Sequence, residues 1–169
     1  MLRTLRLMAH VGLPLVTLLL SSLWAPTAYG GNRTVLYADK DAGGSTHDGT
    51  SWATAFTTLQ GALDWTNAHG ATPFEIWVAE GVYYPDLGGS HTADSQSEYF
   101  KISYDNVQLY GGFAATETLR TQRVPSVHLT ILSGDIDGSD TNSDGDSVAQ
   151  TTADIQGSNA YHVLYFDGE

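Results

Sequence analysis

The chain has 169 residues, 41% hydrophobic and 15% charged, with 19 acidic against 7 basic side chains and a net charge of −12. That apolar content excludes a disordered acidic tail, and the acidity excludes a basic footprint for nucleic acid, so no nucleic-acid partner is expected. Cysteine is absent, which removes thiolate zinc sites, thiol catalysis and a disulfide framework together.

Residues 1–30 differ in kind from the rest. Arg3 and Arg6 precede an apolar stretch from Leu7 to Leu20, followed by Ser21, Ser22 and the small-residue pattern Ala28-Tyr29-Gly30. This is the layout of a secretory signal peptide cut after Gly30. The stretch is interrupted by His10, Gly12 and Pro14 and is short of the about 20 apolar residues a bilayer span requires. No stable membrane span is therefore expected after cleavage, and residues 31–169 are expected to be secreted or at the cell surface. A secreted domain without disulfides must rest on a large apolar core, on repeats or on bound ions.

Thr34 to Ala38 has the composition of a first strand, and the Asp-, Gly-, Ser- and Thr-rich run from Asp39 to Thr50 that of a loop. Phe56, Leu59, Ala62 and Leu63 then fall on one face of a short amphipathic helix, with Thr57 or Thr54 to cap its start and Asn67 with Gly70 to end it. From Phe74 the period becomes two: Phe74, Ile76 and Val78 alternate with Glu75, Trp77 and Ala79, and Gly81 turns the chain before Val82 to Pro85. After a loop from Asp86 to Glu98, short strands are expected at Tyr99 to Ile102, Val107 to Tyr110, Leu129 to Leu132 and Tyr161 to Phe166. Ile76 to Leu109 and Ile131 to Leu164 are each 33 residues apart, and Leu109 to Ile131 is 22. Strands recurring at such intervals point to a coil whose turns stack, because an antiparallel sandwich repeats at about 8 to 12 residues.

Asp135, Asp137, Asp140, Asn142, Asp144 and Asp146 crowd one loop between glycines and serines. Hard oxygens at alternate positions around a glycine turn are what calcium needs, and Asp140 to Asp146 satisfies the first half of an EF-hand-like loop. The closing position holds Thr151 instead of Glu, and no flanking amphipathic helices accompany it. These six residues are the candidate metal ligands, with Ca2+ the one cofactor considered. The other reading is a solvated turn.

The histidines after the leader, His47, His69, His91, His128 and His162, lack the paired helical spacing of a zinc site. Trp77, Tyr83, Tyr84, Tyr99 and Tyr104 are candidates for a sugar-stacking surface, although alternation turns several of them inward.

Glu75-Ile76-Trp77-Val78-Ala79-Glu80-Gly81-Val82-Tyr83-Tyr84-Pro85 resembles a first-rung signature of secreted bacterial right-handed parallel β-helix repeat proteins, of the pectin-lyase-like superfold. Val107 to Ala114 with Glu117, Thr118, Gln122 and Arg123, then Thr130 to Ile136, Asn159 to Val163, and upstream Asp48 to Trp52, are similar to further motifs of that family. The resemblance implies an all-β fold, the start of a right-handed parallel β-helix with one short capping α-helix. Residues 31–169 would be its amino-terminal cap and first rungs, an incomplete fragment of a longer solenoid. It implies a structural, adhesion or carbohydrate-contact role, with polysaccharide or cell-surface glycans as partners, and gives Arg120 and Arg123 a salt-bridging and hydrogen-bonding role at the edge of a rung. The alternative is the amino-terminal part of a polysaccharide lyase or glycoside hydrolase, for which Asp135 and Asp137 are a paired-carboxylate candidate. No oligomeric state is implied.

Overall fold

The computed structural model describes residues 33–70 and 72–167; the expected signal peptide at 1–30 lies outside them. The described elements are β1 (Thr34–Ala38), α1 (Leu59–Ala68), β2 (Phe74–Ala79), β3 (Gly81–Tyr83), β4 (Phe100–Ile102), β5 (Val107–Phe113), β6 (Thr130–Leu132) and β7 (Leu164–Phe166). They form three small sheets, β1-β2-β5, β3-β6 and β4-β7, and every strand ladder in them is parallel.

The helix forms where the period-3.6 stripe begins. Its N-cap is Thr58, whose hydroxyl accepts from the Gly61 N–H, in place of the expected Thr57 or Thr54. Leu59, Ala62, Leu63 and Thr66 bury one face against β4, β1 and β2. Gln60 is buried too, and its amide donates to the carbonyls of Pro85 and Tyr99. The helix ends at Ala68 with His69 as its cap, and the following Gly70 lies so close to the Tyr104 ring that a Cβ there would overlap it.

Strand β2 is covered on both sides. Phe74, Ile76 and Val78 join Leu36, Phe100, Ile102, Val107 and the helix in the main core. Trp77 points the other way and stacks on Phe113 at 4.9 Å between ring centroids; Tyr37 and Trp52 complete this second aromatic layer. Between Trp77 and Ala79 the register with β5 shifts, and β5 continues through Gly111-Gly112 to Phe113 where the sequence pattern ends it at the glycines. Gly112 adopts φ +93° and its backbone lies against Pro125, a conformation and a closeness that a side chain would oppose.

Strand spacing anticipates one partnership. Ile76 pairs with Leu109, 33 residues on, but Ile131 pairs with Val82 and Leu164 with Phe100. The intervals from Leu109 to Ile131 and from Ile131 to Leu164 therefore join strands of different sheets, because chain distance does not say which sheet a strand enters.

The assignment to the β-helix repeat family is not upheld. The described strands form separate sheets of three, two and two strands beside one helix, an arrangement that does not by itself identify that family. The matching motifs have local duties instead. Glu117 accepts from the N–H groups of Ala114 and Thr116, and Gln122 from those of Thr118 and Leu119. Such side chains satisfy turn backbone in any chain that leaves a strand this way, so they do not identify a family.

Candidate functional site

In the acidic loop, each of the six predicted ligands accepts hydrogen bonds from nearby backbone. Asp135 accepts from the N–H groups of Ser139 and Asp140. Asp137 accepts from the Ser139 hydroxyl at 2.6 Å and the Ser158 N–H at 2.7 Å, contacts that hold its carboxyl below the ordinary value. Asp140 accepts from the Gln156 N–H and the Asn159 amide at 2.6 and 3.1 Å. Asn142 accepts from the Gly145 N–H, Asp144 from that of Asp146, and Asp146 from that of Val148, a succession of side-chain-closed turns. Asp137 and Asp140 thus tie together the two limbs of the loop, Asp135 closes a turn within the first limb, and the last three fold its tip.

These donors do not fit a calcium site as they stand. Calcium gathers six to eight oxygens around one point, whereas these oxygens are directed at separate N–H groups along the loop. Among the described residues no group of three His, Cys, Asp or Glu side chains is placed to hold a metal. The same geometry bears on Asp135 and Asp137 as a catalytic pair, since both are engaged by the turn that carries them.

Folding of this loop beside β6 creates a cleft of about 190 Å3 over the sheet β3-β6. Val82, Tyr84 and Ile131 supply its apolar part; Ser133, Asp135, Asp140 and Asn142 are among its polar groups. A second hollow of about 290 Å3 shares Val82 and Tyr84 with the first and is lined also by Leu59, Leu87, Thr57 and Lys40, among others. Tyr84 is half-buried and borders both. Of the other aromatics proposed as a stacking surface, Trp77 and Tyr83 are buried in the interior. Sequence reasoning named Tyr84 but could not join it to Asp140, because β3 and β6 come together only through a long-range pairing.

Histidine roles are structural in kind. His47 contacts the Ala55 carbonyl, His69 stacks on Trp65, and His128 pairs with Glu80. His91 is the most enclosed in polar contacts: Nδ1 lies 2.6 Å from Glu98, and Nε2 3.4 Å from Asp64 on α1.

Comparison with protein-family models, with curated proteins and with solved structures gives no match for this chain. The family resemblance therefore lacks support from comparison as well as from the strand arrangement. No helix among the described residues is long and apolar enough to cross a membrane.

Proposed function

We propose that the protein is a secreted or cell-surface structural segment that contacts neutral carbohydrate through the cleft over β3 and β6. The observation that carries this reading is the placing of Tyr84 beside hydroxyl, carboxylate and amide groups from the loop that follows β6. An aromatic face covers the C–H side of a sugar ring, and the flanking oxygens and amide take up its hydroxyls. The cleft has room for one ring, and the neighbouring hollow across Tyr84 extends the path to a second. Asp135 and Asp140 would repel a uronate, so neutral glycans suit the site better than pectin-like polymers. Since the loop oxygens already serve its own backbone, contact should be the same in a chelator as in millimolar calcium.

Export rests on the leader pattern at residues 1–30. For the fold, we infer a parallel coil: after β1 and β2 the chain passes through the second and third sheets, then returns to the first, second and third in turn. Nuclear Overhauser contacts of Val82 with Ile131 and of Phe100 with Leu164 would support that winding, and antiparallel contacts would end it. For binding, calorimetric titration with neutral oligosaccharides should show saturable association. Tyr84→Ala should weaken it roughly tenfold without lowering Tm appreciably. Equal affinity in Tyr84→Ala, or no saturable binding to any neutral oligosaccharide, overturns the proposal.

A further inference from the structure

On the opposite side of sheet β1-β2-β5 from the main core, an open surface depression of about 350 Å3 is lined by Arg120, Thr121, Arg123 and Pro125. Both guanidinium groups lie against one ring: the Cζ atoms of Arg120 and Arg123 are 4.5 and 5.5 Å from the centroid of Tyr110. Arg120 donates through Nη1 to Glu75 at 2.7 Å and to the Tyr110 hydroxyl at 2.9 Å. Arg123 donates through Nη1 to the Gly111 carbonyl at 3.1 Å. Glu75 is itself fixed by the Trp77 indole N–H, and the Tyr110 hydroxyl donates onward to Gln108.

The two forks are therefore held in place by contacts that use one nitrogen of each. A guanidinium has five N–H donors, so most of the donor capacity of both arginines is left for a ligand. Glu75 offsets the charge of Arg120, whereas among the described residues no carboxylate lies within ion-pair distance of Arg123. A local positive charge thus lines an open depression in a chain of net charge −12. The distant carboxylates weaken it little, because at physiological salt their influence decays over about 8 Å.

We propose that Arg120 and Arg123 form a binding site for a compact oxyanion, sulfate or carboxylate, received bidentately by Arg123 with Arg120 alongside. Such a group is either a free ion or a substituent of an acidic glycan. This site is independent of the neutral-sugar cleft, which lies on a different sheet.

The test is a titration of the 15N-labelled protein with sodium sulfate against sodium chloride at matched ionic strength, following arginine Nε–H and Tyr110 ring signals. Sulfate should give saturable shifts in the millimolar range that chloride does not. Arg123→Gln should weaken that response roughly fivefold or more, while Arg123→Lys should retain part of it. A sulfated disaccharide that binds more tightly than sulfate assigns the anion to a glycan; sulfate alone assigns it to a free ion. Shifts that stay linear and match those from chloride overturn the proposal. So does a saturable response unchanged in Arg123→Gln, and if that variant does not fold, an unchanged response in Arg120→Lys and Arg123→Lys together does the same.

Discussion

Residues 34–113 and residues 129–167 are held together by different physics. In the first region β1, β2 and β5, of five to seven residues, pair side by side, and Phe74, Phe100 and Phe113 are fully buried. In the second, β6 and β7 have three residues each, Tyr165 and Phe166 are exposed, and aspartates accepting backbone N–H groups do much of the work of closing the chain. Apolar burial resists opening across the whole unit, whereas exposed hydrogen bonds resist it one turn at a time. The second region, which carries most of the polar wall of the cleft over β3 and β6, should therefore open locally before the first.

The largest effect should separate two phenylalanines that lie on opposite strands of the same two-stranded sheet. Phe100 is 0% exposed and joins the helix-backed core, so Phe100→Ala should cost about 3–5 kcal/mol in urea unfolding. Phe166 is 67% exposed, and Phe166→Ala should cost under about 1 kcal/mol. Equal losses would mean that the two regions share one core and would remove the contrast.

Next comes Gly112→Ala in β5. The residue sits at φ +93° with Pro125 backbone atoms within 3 Å of where a Cβ would go, so alanine should cost about 1–3 kcal/mol. A smaller but more localised change is expected from Asp140→Ala, which removes the acceptor for Gln156 and Asn159. Its cost should be about 1–2 kcal/mol. Hydrogen exchange should quicken over residues 135–160 and stay unchanged in β1 and β2; acceleration in all of them would show that the loop is coupled to the main core.

The same division governs what could be read from sequence. β1, α1 and β2 are legible because their periodicity and their burial agree: Leu59, Ala62 and Leu63 fall on one face and Phe74, Ile76 and Val78 on another. The cap was displaced by one residue among adjacent threonines, since Thr57 and Thr58 carry the same hydroxyl and only the backbone selects Thr58. Pairing partners were less legible. Nothing local in Ile131 or Leu164 says that they lie beside Val82 and Phe100. The acidic loop stood out in composition, but alternate Asp and Asn residues serve a chain of side-chain-closed turns as well as they serve a cation. The role expected of Arg120 and Arg123 agrees with their contacts to Glu75 and Gly111, while the depression they share depends on the return of the chain after β5.

The smallest effect concerns the clasp by which the loop after β3 is fastened to the helix. For His91, burial alone would lower the pKa, but hydrogen bonds to Glu98 and Asp64 and their charges outweigh it, and the net shift is upward from 6.5. Glu98 is shifted downward from 4.5, chiefly by its hydrogen bond to His91. The histidine's contribution is complete below pH 6.5 and is lost as pH rises through its higher folded value. That of Glu98 is complete above pH 4.5 and is lost as pH falls through its lower one. The clasp should accordingly be strongest between these values. Its partial exposure limits it to a few tenths of a kcal/mol. Urea midpoints at pH 5.5 and pH 8.5 should differ in the native protein by more than in His91→Gln, because the variant keeps every other titrating group. If both proteins show the same pH dependence, His91 does not fasten this loop, and the hold of the helix on it rests on Gln60 and its two carbonyl partners.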